Sequence, residues 1–385
     1  MLTEPTQLLE GNELLVEHRF FGSSIATDPD WTHLNIWQSA NDSHRIREVL
    51  GLLYDQPWIG TGVSKGGMTA IFHHRFFPDD LAGIVPYVAP ITFGFEDARY
   101  QTYMDTIGPS NGLCRHRVEG MEREMIERRA EAAQYVASET TMANGVSQET
   151  IQTLVAQRVT GYPMMFWQYW GSTQWCNHLP PEGVEIDVLF GQWMIGEAEQ
   201  LFYRYGFEPH VGPYSYQVAN ELGQPFYTNP QVEGLLDEID FGLLAPYEPD
   251  PMPWGDDPSF DAGAMTDVDD YLRHEASEVL AVYGAWDPWS AAMITLNEEG
   301  DNRRYIAQGA THGATLSDLP GHERDKAIEQ LMGWLYPDGT PPQAFVATGI
   351  GQEIPTWQVE GHRLLADAIR EAERDLMRLR ILSQP

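Results

Sequence analysis

The stretch PWIGTGVSKGGMTAIFHHRF, residues 57–76, decides the fold prediction for this chain. Residues 57–63 are a short, mostly apolar run that closes on small residues, as a buried strand does, and residues 66–76 place apolar side chains at helical spacing. Between them, Gly62-Val-Ser64-Lys-Gly66 matches G-x-S-x-G, a motif that requires a strand before it and a helix after it. We therefore predict a tight strand-to-helix turn that carries Ser64.

The chemistry of such a turn explains its residue types. Strained backbone angles would lift the Ser64 hydroxyl above the sheet, and the small residues at positions 62 and 66 relieve the crowding. The turn lies at the positive end of the following helix, where the backbone N–H of Lys65 can donate to a developing oxyanion. A plain structural turn is the alternative, because Gly and Ser are common in loops. The flanking strand and helix favour a nucleophile.

A serine becomes nucleophilic only beside a base and a group that orients the base. His312 lies in the small-residue loop GATHG after the last predicted strand, and Asp287 follows the preceding strand in GAWDPW. Alone, each would be interpreted as a loop or capping residue. Their order along the chain and their positions after strands predict a triad of Ser64, Asp287 and His312. His73-His74 falls on the helix after Ser64, where we expect a surface or packing role.

Strands and helices alternate on both sides of a long helical middle region. Strands are predicted over 12–21, 80–89, 278–286 and 303–310, helices over 44–54, 118–137, 147–159 and 362–382, and an irregular connection over 225–264. The alternation indicates parallel βαβ units. We predict an α/β fold with core segments 1–95 and 276–385 and an inserted, mainly helical, aromatic-rich cap over 96–275.

The composition excludes several classes of protein. With 23 basic and 57 acidic residues the net charge is −34, which argues against binding to nucleic acid or to an anionic membrane surface. No apolar window is long enough to suggest a transmembrane helix. The first residues lack the basic and apolar pattern of a signal peptide. A hydrophobic fraction of 42% is enough for a sizeable core.

Cys114 and Cys176 are the only cysteines, and each is followed two residues later by a histidine, His116 or His178. The sequence leaves three arrangements open. The cysteines could form a disulfide in a secreted protein or remain two buried thiols. They could also bind zinc with both histidines, although the Cys-x-His spacing is unusual for structural zinc.

The octapeptide G-V-S-K-G-G-M-T and the motifs around it resemble the S37 peptidase family. The upstream motifs are E-P-T-Q-L-L, V-E-H-R-F-F-G-S-S and W-Q-S-A-N-D-S-H-R-I, and the downstream ones are H-x-R-F-x-P-D-D, V-x-Y-V-A-P, F-W-Q-Y, G-A-W-D-P-W and T-H-G-A. The family comprises secreted prolyl tri- and tetrapeptidyl aminopeptidases of actinobacteria. The resemblance implies an α/β-hydrolase fold, an extracellular location, and release of short peptides from free N-termini after Pro or an apolar residue.

The resemblance also assigns roles to particular residues. It makes Ser64 the nucleophile, Asp287 the orienting carboxylate and His312 the base, and a disulfide between Cys114 and Cys176 would fit a secreted member. In the α/β-hydrolase fold, early strands precede the V-E-H-R-F-F strand, and a loop after one of them supplies a second oxyanion donor. The chain as given begins after those strands, so we expect a sheet that lacks them.

An exopeptidase must also hold the substrate's side chains and its terminal ammonium. Aromatic candidates for the wall around a Pro ring are Phe166, Trp167, Trp170 and Trp175, although a cap core packed on itself would explain at least half of them. Candidate carboxylates for the ammonium are Glu96, Asp97, Glu197 and Glu199. We expect a peptide with a free N-terminus as substrate and neither a cofactor nor a metal, and the oligomeric state stays open.

Two other functions remain open at this point. An esterase or lipase would use the same triad on acyl esters. A non-catalytic, hydrolase-like protein would follow if the early strands were needed for activity.

Overall fold

The computed structural model describes residues 2–193, 198–202, 211–247, 252–255, 259–297 and 299–339 of the 385-residue chain. The chain divides into two compact units, one of residues 14–337 and one of residues 1–13 with 338–385. The sheet and the candidate site belong to the first unit. The helix predicted over 362–382 and Glu197 lie outside the described residues, as does the side chain of Glu199.

Within the described residues, a sheet of four parallel strands forms the centre of the larger unit. The strands are β1 (Ile59–Val63), β2 (Gly83–Tyr87), β3 (Leu280–Gly284) and β4 (Arg303–Ala307), and they lie side by side in that order. Val63 pairs with Tyr87, and Gly284 pairs with Ala307, so the carboxyl ends of all four strands meet at one edge. The α/β class and the strands predicted within 57–63, 80–89, 278–286 and 303–310 are confirmed.

The described α-helices, in chain order, are α1 (Glu4–Leu9), α2 (Ile36–Gly51), α3 (Lys65–Phe76), α4 (Ala98–Met104), α5 (Leu113–Glu127), α6 (Arg129–Glu139), α7 (Gln148–Val159), α8 (Tyr162–Tyr169), α9 (Thr173–His178), α10 (Ile186–Trp193), α11 (Gly212–Gln217), α12 (Pro230–Leu236), α13 (Ala262–His274) and α14 (Gly321–Leu335). Short 3₁₀ helices also occur, including Pro78–Asp80 after α3, Phe241–Tyr247 after α12 and Pro288–Ala292 after β3. Most helices therefore lie between β2 and β3.

One hydrophobic cluster packs helices against the sheet. Ile71 and Phe72 of α3 pack with Ile84 of β2, Tyr283 of β3 and Leu272 of α13, and all five side chains are almost completely buried. Burial of this much apolar surface is the main force that holds α3 on the sheet. It also fixes the first residue of α3 at the carboxyl end of β1.

A second hydrophobic cluster lies within the helices between β2 and β3. It includes Met125 of α5, Val136 of α6, Ile151 of α7 and Trp167 of α8, all fully or almost fully buried. The single helix predicted over 118–137 is wrong, because the chain leaves helical geometry at Arg128 and forms α5 and α6 instead. The Arg128 guanidinium donates to Glu124 and to the Val184 carbonyl, which holds the break in place.

Two other expectations about secondary structure are wrong. Residues 12–21 form no strand, because no described strand pairs with them and Leu14, Leu15 and Val16 lie exposed. Apolar spacing predicts a strand face but cannot supply its hydrogen-bonding partner. The predicted irregular connection 225–264 contains α12, which Asn229 caps by accepting from the Gln231 N–H, and the 3₁₀ helix Phe241–Tyr247.

Candidate active site

Ser64 lies on a strained turn between β1 and α3. Its φ of 55° and ψ of −121° are outside the conformations that a residue with a side chain ordinarily adopts. Two hydrogen bonds hold it there: its N–H donates to the Tyr87 carbonyl at 2.8 Å, and its carbonyl accepts from the Met68 N–H at 2.9 Å. The sequence predicted this strand–turn–helix arrangement, and strain of this kind clusters at functional sites.

The turn requires glycine at position 62 but not at position 66. A Cβ on Gly62 would lie 2.5 Å from the Gly66 carbonyl oxygen, which is backbone and cannot rotate away. A Cβ on Gly66 would meet nothing within 4 Å. The expectation that both glycines relieve crowding is therefore right for Gly62 and wrong for Gly66, whose backbone, not its missing side chain, makes the close approach.

Asp287 and His312 contact each other directly. Nδ1 of His312 lies 2.8 Å from Oδ2 of Asp287, and the second carboxylate oxygen accepts from the Trp289 N–H at 3.1 Å. Asp287 is completely buried, and this burial raises its pKa, while the hydrogen bond to His312 acts in the opposite direction. A buried carboxylate that accepts from Nδ1 fixes the orientation of the imidazole.

Close backbone packing brings the His312 loop to the end of β3. Gly284 permits this approach, because a Cβ there would lie 2.5 Å from the Ala310 carbonyl oxygen. The Trp286 N–H donates to that same carbonyl at 2.9 Å. The His312 loop also contacts the helical region, because the His312 N–H donates to the Gln168 carbonyl of α8 at 3.1 Å. Both the sheet and the helical region thus position His312.

The three predicted triad residues follow β1, β3 and β4, whose carboxyl ends lie at one edge of the sheet. Acyl transfer uses a hydroxyl on a turn at a helix N-terminus and an imidazole held by a carboxylate, and this edge of the sheet carries both kinds of group. His73 and His74 are buried in α3, where His74 contacts the Tyr271 hydroxyl, so they have packing roles.

Trp289 is a neighbour of this site that the sequence analysis did not assign. Its ring lies 6.0 Å from the His312 imidazole and packs edge-to-face with Tyr100 at 6.2 Å. The two rings are tilted by 41° to each other, so Trp289 packs beside the imidazole. The signal was present in GAWDPW, because Trp289 follows Asp287 on the same tight turn.

A cavity of about 260 Å³ opens beside the His312 loop. Its lining residues are Tyr169, Trp170, Ser172, Trp175, Gly309, Ala310, Thr311, Gly313 and Asp318. The lining combines three aromatic rings and several small residues with the polar side chains of Ser172, Thr311 and Asp318, as ligand pockets often do. A larger hollow of about 370 Å³ lies between Arg19 and Gln38, and none of the triad residues lines either cavity.

The structure separates the aromatic candidates into two groups. Phe166 and Trp167 are 2% and 0% exposed in the helical cluster, so they have no surface that a substrate could contact. Their predicted role in substrate binding is corrected to core packing. Trp170 and Trp175 line the cavity beside the His312 loop and remain candidates.

The described carboxylate candidates for the ammonium also differ. Asp97 is buried, pairs with Arg99 at 2.6 Å, and caps α4 by accepting from the Arg99 N–H. Burial alone would raise the pKa of Asp97, but these bonds outweigh it and lower the pKa. Because its oxygens are already bonded, the predicted role of Asp97 as an anchor for the substrate ammonium is wrong. Glu96 is exposed on the same loop. Its role stays a prediction.

Cys114 and Cys176 form a disulfide that joins α5 to α9, with their Cα atoms 5.2 Å apart. The arrangements with free thiols or a thiolate zinc site are therefore wrong. Within the described residues, no group of three or more His, Cys, Asp or Glu side chains could hold a metal ion. None of the helices described is long and apolar enough to cross a membrane.

Comparison with known proteins places the chain in a family. Residues 2–349 match the family model described as PS-10 peptidase S37. The chain belongs to the S37 peptidase family. The prolyl tri/tetrapeptidyl aminopeptidase of Streptomyces mobaraensis is 33% identical to it over 357 residues, which are 89% of this chain and 71% of the relative. This S37 peptidase is thus a serine-type peptidase, and the family resemblance seen in its motifs is confirmed.

Among solved structures, one described as "Crystal structure of VinJ" covers 83% of this S37 peptidase and 79% of its own chain. It is 13% identical and has a TM-score of 0.34, a likeness too low to support an argument about fold. Family membership favours a peptidase over the esterase or lipase and over the non-catalytic alternative.

Proposed function

We propose that this S37 peptidase releases tri- or tetrapeptides from free N-termini, with Ser64 as nucleophile, His312 as base and Asp287 as the orienting carboxylate. The observation that carries the proposal is the 2.8 Å hydrogen bond between His312 and the buried Asp287, on the sheet edge that also presents the strained Ser64. The aminopeptidase activity in the name of the 33% identical relative supports the choice of substrate.

The proposed mechanism follows from the roles of these groups. Asp287 holds the Nδ1–H of His312, which leaves Nε2 to accept the Ser64 proton as Oγ attacks the scissile carbonyl carbon. The backbone N–H of Lys65, at the first residue of α3, donates to the oxyanion that forms. The imidazolium then protonates the leaving amine, and a water activated by the same base hydrolyses the acyl-enzyme.

We propose an α/β-hydrolase core with a helical cap as the architecture behind this mechanism. The nucleophile follows β1, the carboxylate follows β3 and the histidine follows β4, in the chain order of that fold. The long helical region between β2 and β3 corresponds to the cap predicted over 96–275, and the cavity beside His312 lies against α8 and α9 of that region.

The cavity of about 260 Å³ is our candidate for the pocket that takes Pro or an apolar residue before the cut. A Pro ring buries its faces against Tyr169, Trp170 and Trp175, and the small residues of the His312 loop leave room for its backbone. The disulfide supports an extracellular location, because such bonds persist in oxidising compartments.

The test combines active-site labelling with a choice of substrates. A fluorophosphonate probe should label the wild type at Ser64, and Ser64→Ala should abolish labelling and lower peptide turnover by about 10⁴ to 10⁶. A tripeptidyl-Pro anilide with a free N-terminus should be cleaved much faster than its N-blocked form or a short p-nitrophenyl ester. Equal cleavage of the free and blocked peptides would contradict the exopeptidase, and turnover by Ser64→Ala would contradict the mechanism.

A further inference from the structure

Lys65 places a cation where several features disfavour a positive charge. It is the first residue of α3, and the N-terminus of a helix carries a partial positive charge of its own. Its Nζ is buried and has no hydrogen-bond partner within the described residues. Burying an unpaired ammonium costs stability. A residue that breaks these rules beside the candidate nucleophile calls for a functional explanation.

An aromatic ring holds the ammonium in this position. Nζ of Lys65 lies 4.8 Å from the centre of the Phe21 ring, a cation–π contact. Phe21 belongs to a loop with fixed geometry, since its N–H donates to the His18 carbonyl at 3.1 Å and its carbonyl accepts from the Ser24 N–H at 2.8 Å. The ring therefore offers a fixed partner, although it cannot neutralise the charge.

The choice of lysine is informative in this chain. Lys65 and Lys326 are the only lysines among 23 basic residues. An arginine keeps its charge when buried, whereas a lysine can lose it. Burial lowers the pKa of Lys65 to about 7. The charge beside Ser64 can therefore be present or absent near neutral pH.

Groups around α3 leave the ammonium uncompensated. His18, which packs against Phe21, has a pKa lowered to about 3 by burial, with a smaller contribution from Lys65, and is neutral at ordinary pH. Among the other charged groups on the surrounding elements, Glu17 is engaged with Ser24, Asp42 with Arg19, Glu48 and Asp80 with His44, and Arg47 with the Asp80 carbonyl. Asp267 pairs with Arg75, Asp269 with Arg273 and Asp270 with His274. Within the described residues, no carboxylate pairs with Nζ.

We propose that the Lys65 ammonium is a positioning residue for acyl transfer, whose charge, held one residue from Ser64 by the Phe21 ring, favours the negative charge that develops on the oxyanion. This inference rests on the proposed role of Ser64. In this proposal the side chain acts through its electric field at the nucleophile turn and not through contact with the substrate. The buried charge lowers the stability of the folded protein and raises the rate of acyl transfer, a trade-off that is common at active sites.

The test compares Lys65→Met with Lys326→Met, a change at the exposed lysine of α14. At pH 6, Lys65→Met should lower kcat/KM for the tripeptidyl-Pro anilide by about 10-fold to 30-fold, the size expected for a charge acting over about 8 to 12 Å at an effective dielectric of about 20. The ratio of wild type to variant should approach one at pH 9, where the wild type has lost the charge. Lys65→Met should also unfold at a higher temperature than the wild type, because it removes an unpaired buried ammonium. Lys326→Met should change neither quantity.

The outcomes separate the inference from the proposed function. If Ser64→Ala is inactive while Lys65→Met matches the wild type at pH 6, the inference is wrong and the triad stands. If Lys65→Met lowers both activity and thermal stability with a ratio independent of pH, Lys65 is merely structural and the inference is again wrong. If Ser64→Ala stays active, the proposed function itself fails.

Discussion

Replacing Gly62 by Ala should disrupt the turn that carries Ser64, whereas the same change at Gly66 should not. The new Cβ at position 62 would lie 2.5 Å from the Gly66 carbonyl oxygen, about 1 Å inside ordinary van der Waals contact. The new Cβ is fixed by the backbone of β1, and the oxygen that it meets belongs to the backbone of α3. The clash is therefore relieved only by moving β1 relative to α3. We expect a loss of about 3 kcal/mol, the upper end of the range for overpacking.

Gly66→Ala is the matched control, because its Cβ would meet nothing within 4 Å and its φ lies outside the left-handed region. It should stabilise the protein by about 0.4–1 kcal/mol through the unfolded chain. Urea unfolding followed by tryptophan fluorescence measures both changes, and the rate of fluorophosphonate labelling reports the geometry of the turn. A Gly62→Ala protein with wild-type stability and labelling would refute the conclusion that the turn requires glycine at position 62.

Asp287→Asn should lower kcat by roughly 10⁴ with little change in KM, because the amide no longer holds the imidazole in the reactive tautomer; steady-state kinetics that show less than a tenfold fall would contradict its orienting role. Reduction of the Cys114–Cys176 bond, which spans a sequence separation of 62, should cost about 4 kcal/mol of stability, and calorimetry with and without dithiothreitol measures it. Ser64 should still react with small phosphonates after reduction, because the bond joins two helices and not the sheet. Burial raises the pKa of Glu122 to about 7, so the native state is penalised above pH 7 and not below the ordinary carboxyl pKa of 4.5. Glu122→Gln should therefore gain up to about 3 kcal/mol at pH 8 and nothing at pH 4.5, and equal gains at both values would show that packing, not ionisation, is responsible.

Local patterns sufficed to predict the centre of the fold. The strand at 59–63, the helix from Lys65 and the later strands β3 and β4 have short apolar runs or helical spacing that point to a single structure, although only β3 among these strands is fully buried. Because the carboxyl ends of parallel strands share an edge, positions in the sequence were enough to bring Asp287 and His312 together. Their hydrogen bond is the consequence.

What the sequence could not predict depended on partners distant along the chain. The apolar residues of 12–21 suggested a strand, yet pairing requires a neighbour that spacing does not reveal. The aromatic run could not separate core from cavity, because one helical turn divides the buried Trp167 from Trp170 at the cavity wall. The burial of the Lys65 ammonium against Phe21 arises from a loop more than 40 residues earlier in the chain.

Strain at the carboxyl edge of the sheet is the feature that best connects this fold to catalysis. Ser64 after β1 and Val88 after β2 both have positive φ, 55° and 44°, and for a β-branched valine such a value is a true outlier. Each costs on the order of 1–3 kcal/mol and persists only because other bonds over-determine it. Those bonds run between strands: the Ser64 N–H donates to the Tyr87 carbonyl, and the Val88 N–H donates to the Val282 carbonyl of β3 at 2.7 Å. The burial of β2 and β3 therefore supplies the energy that keeps the Ser64 turn in its strained shape. A core mutation in β2 should accordingly reduce labelling of Ser64 before it unfolds the protein.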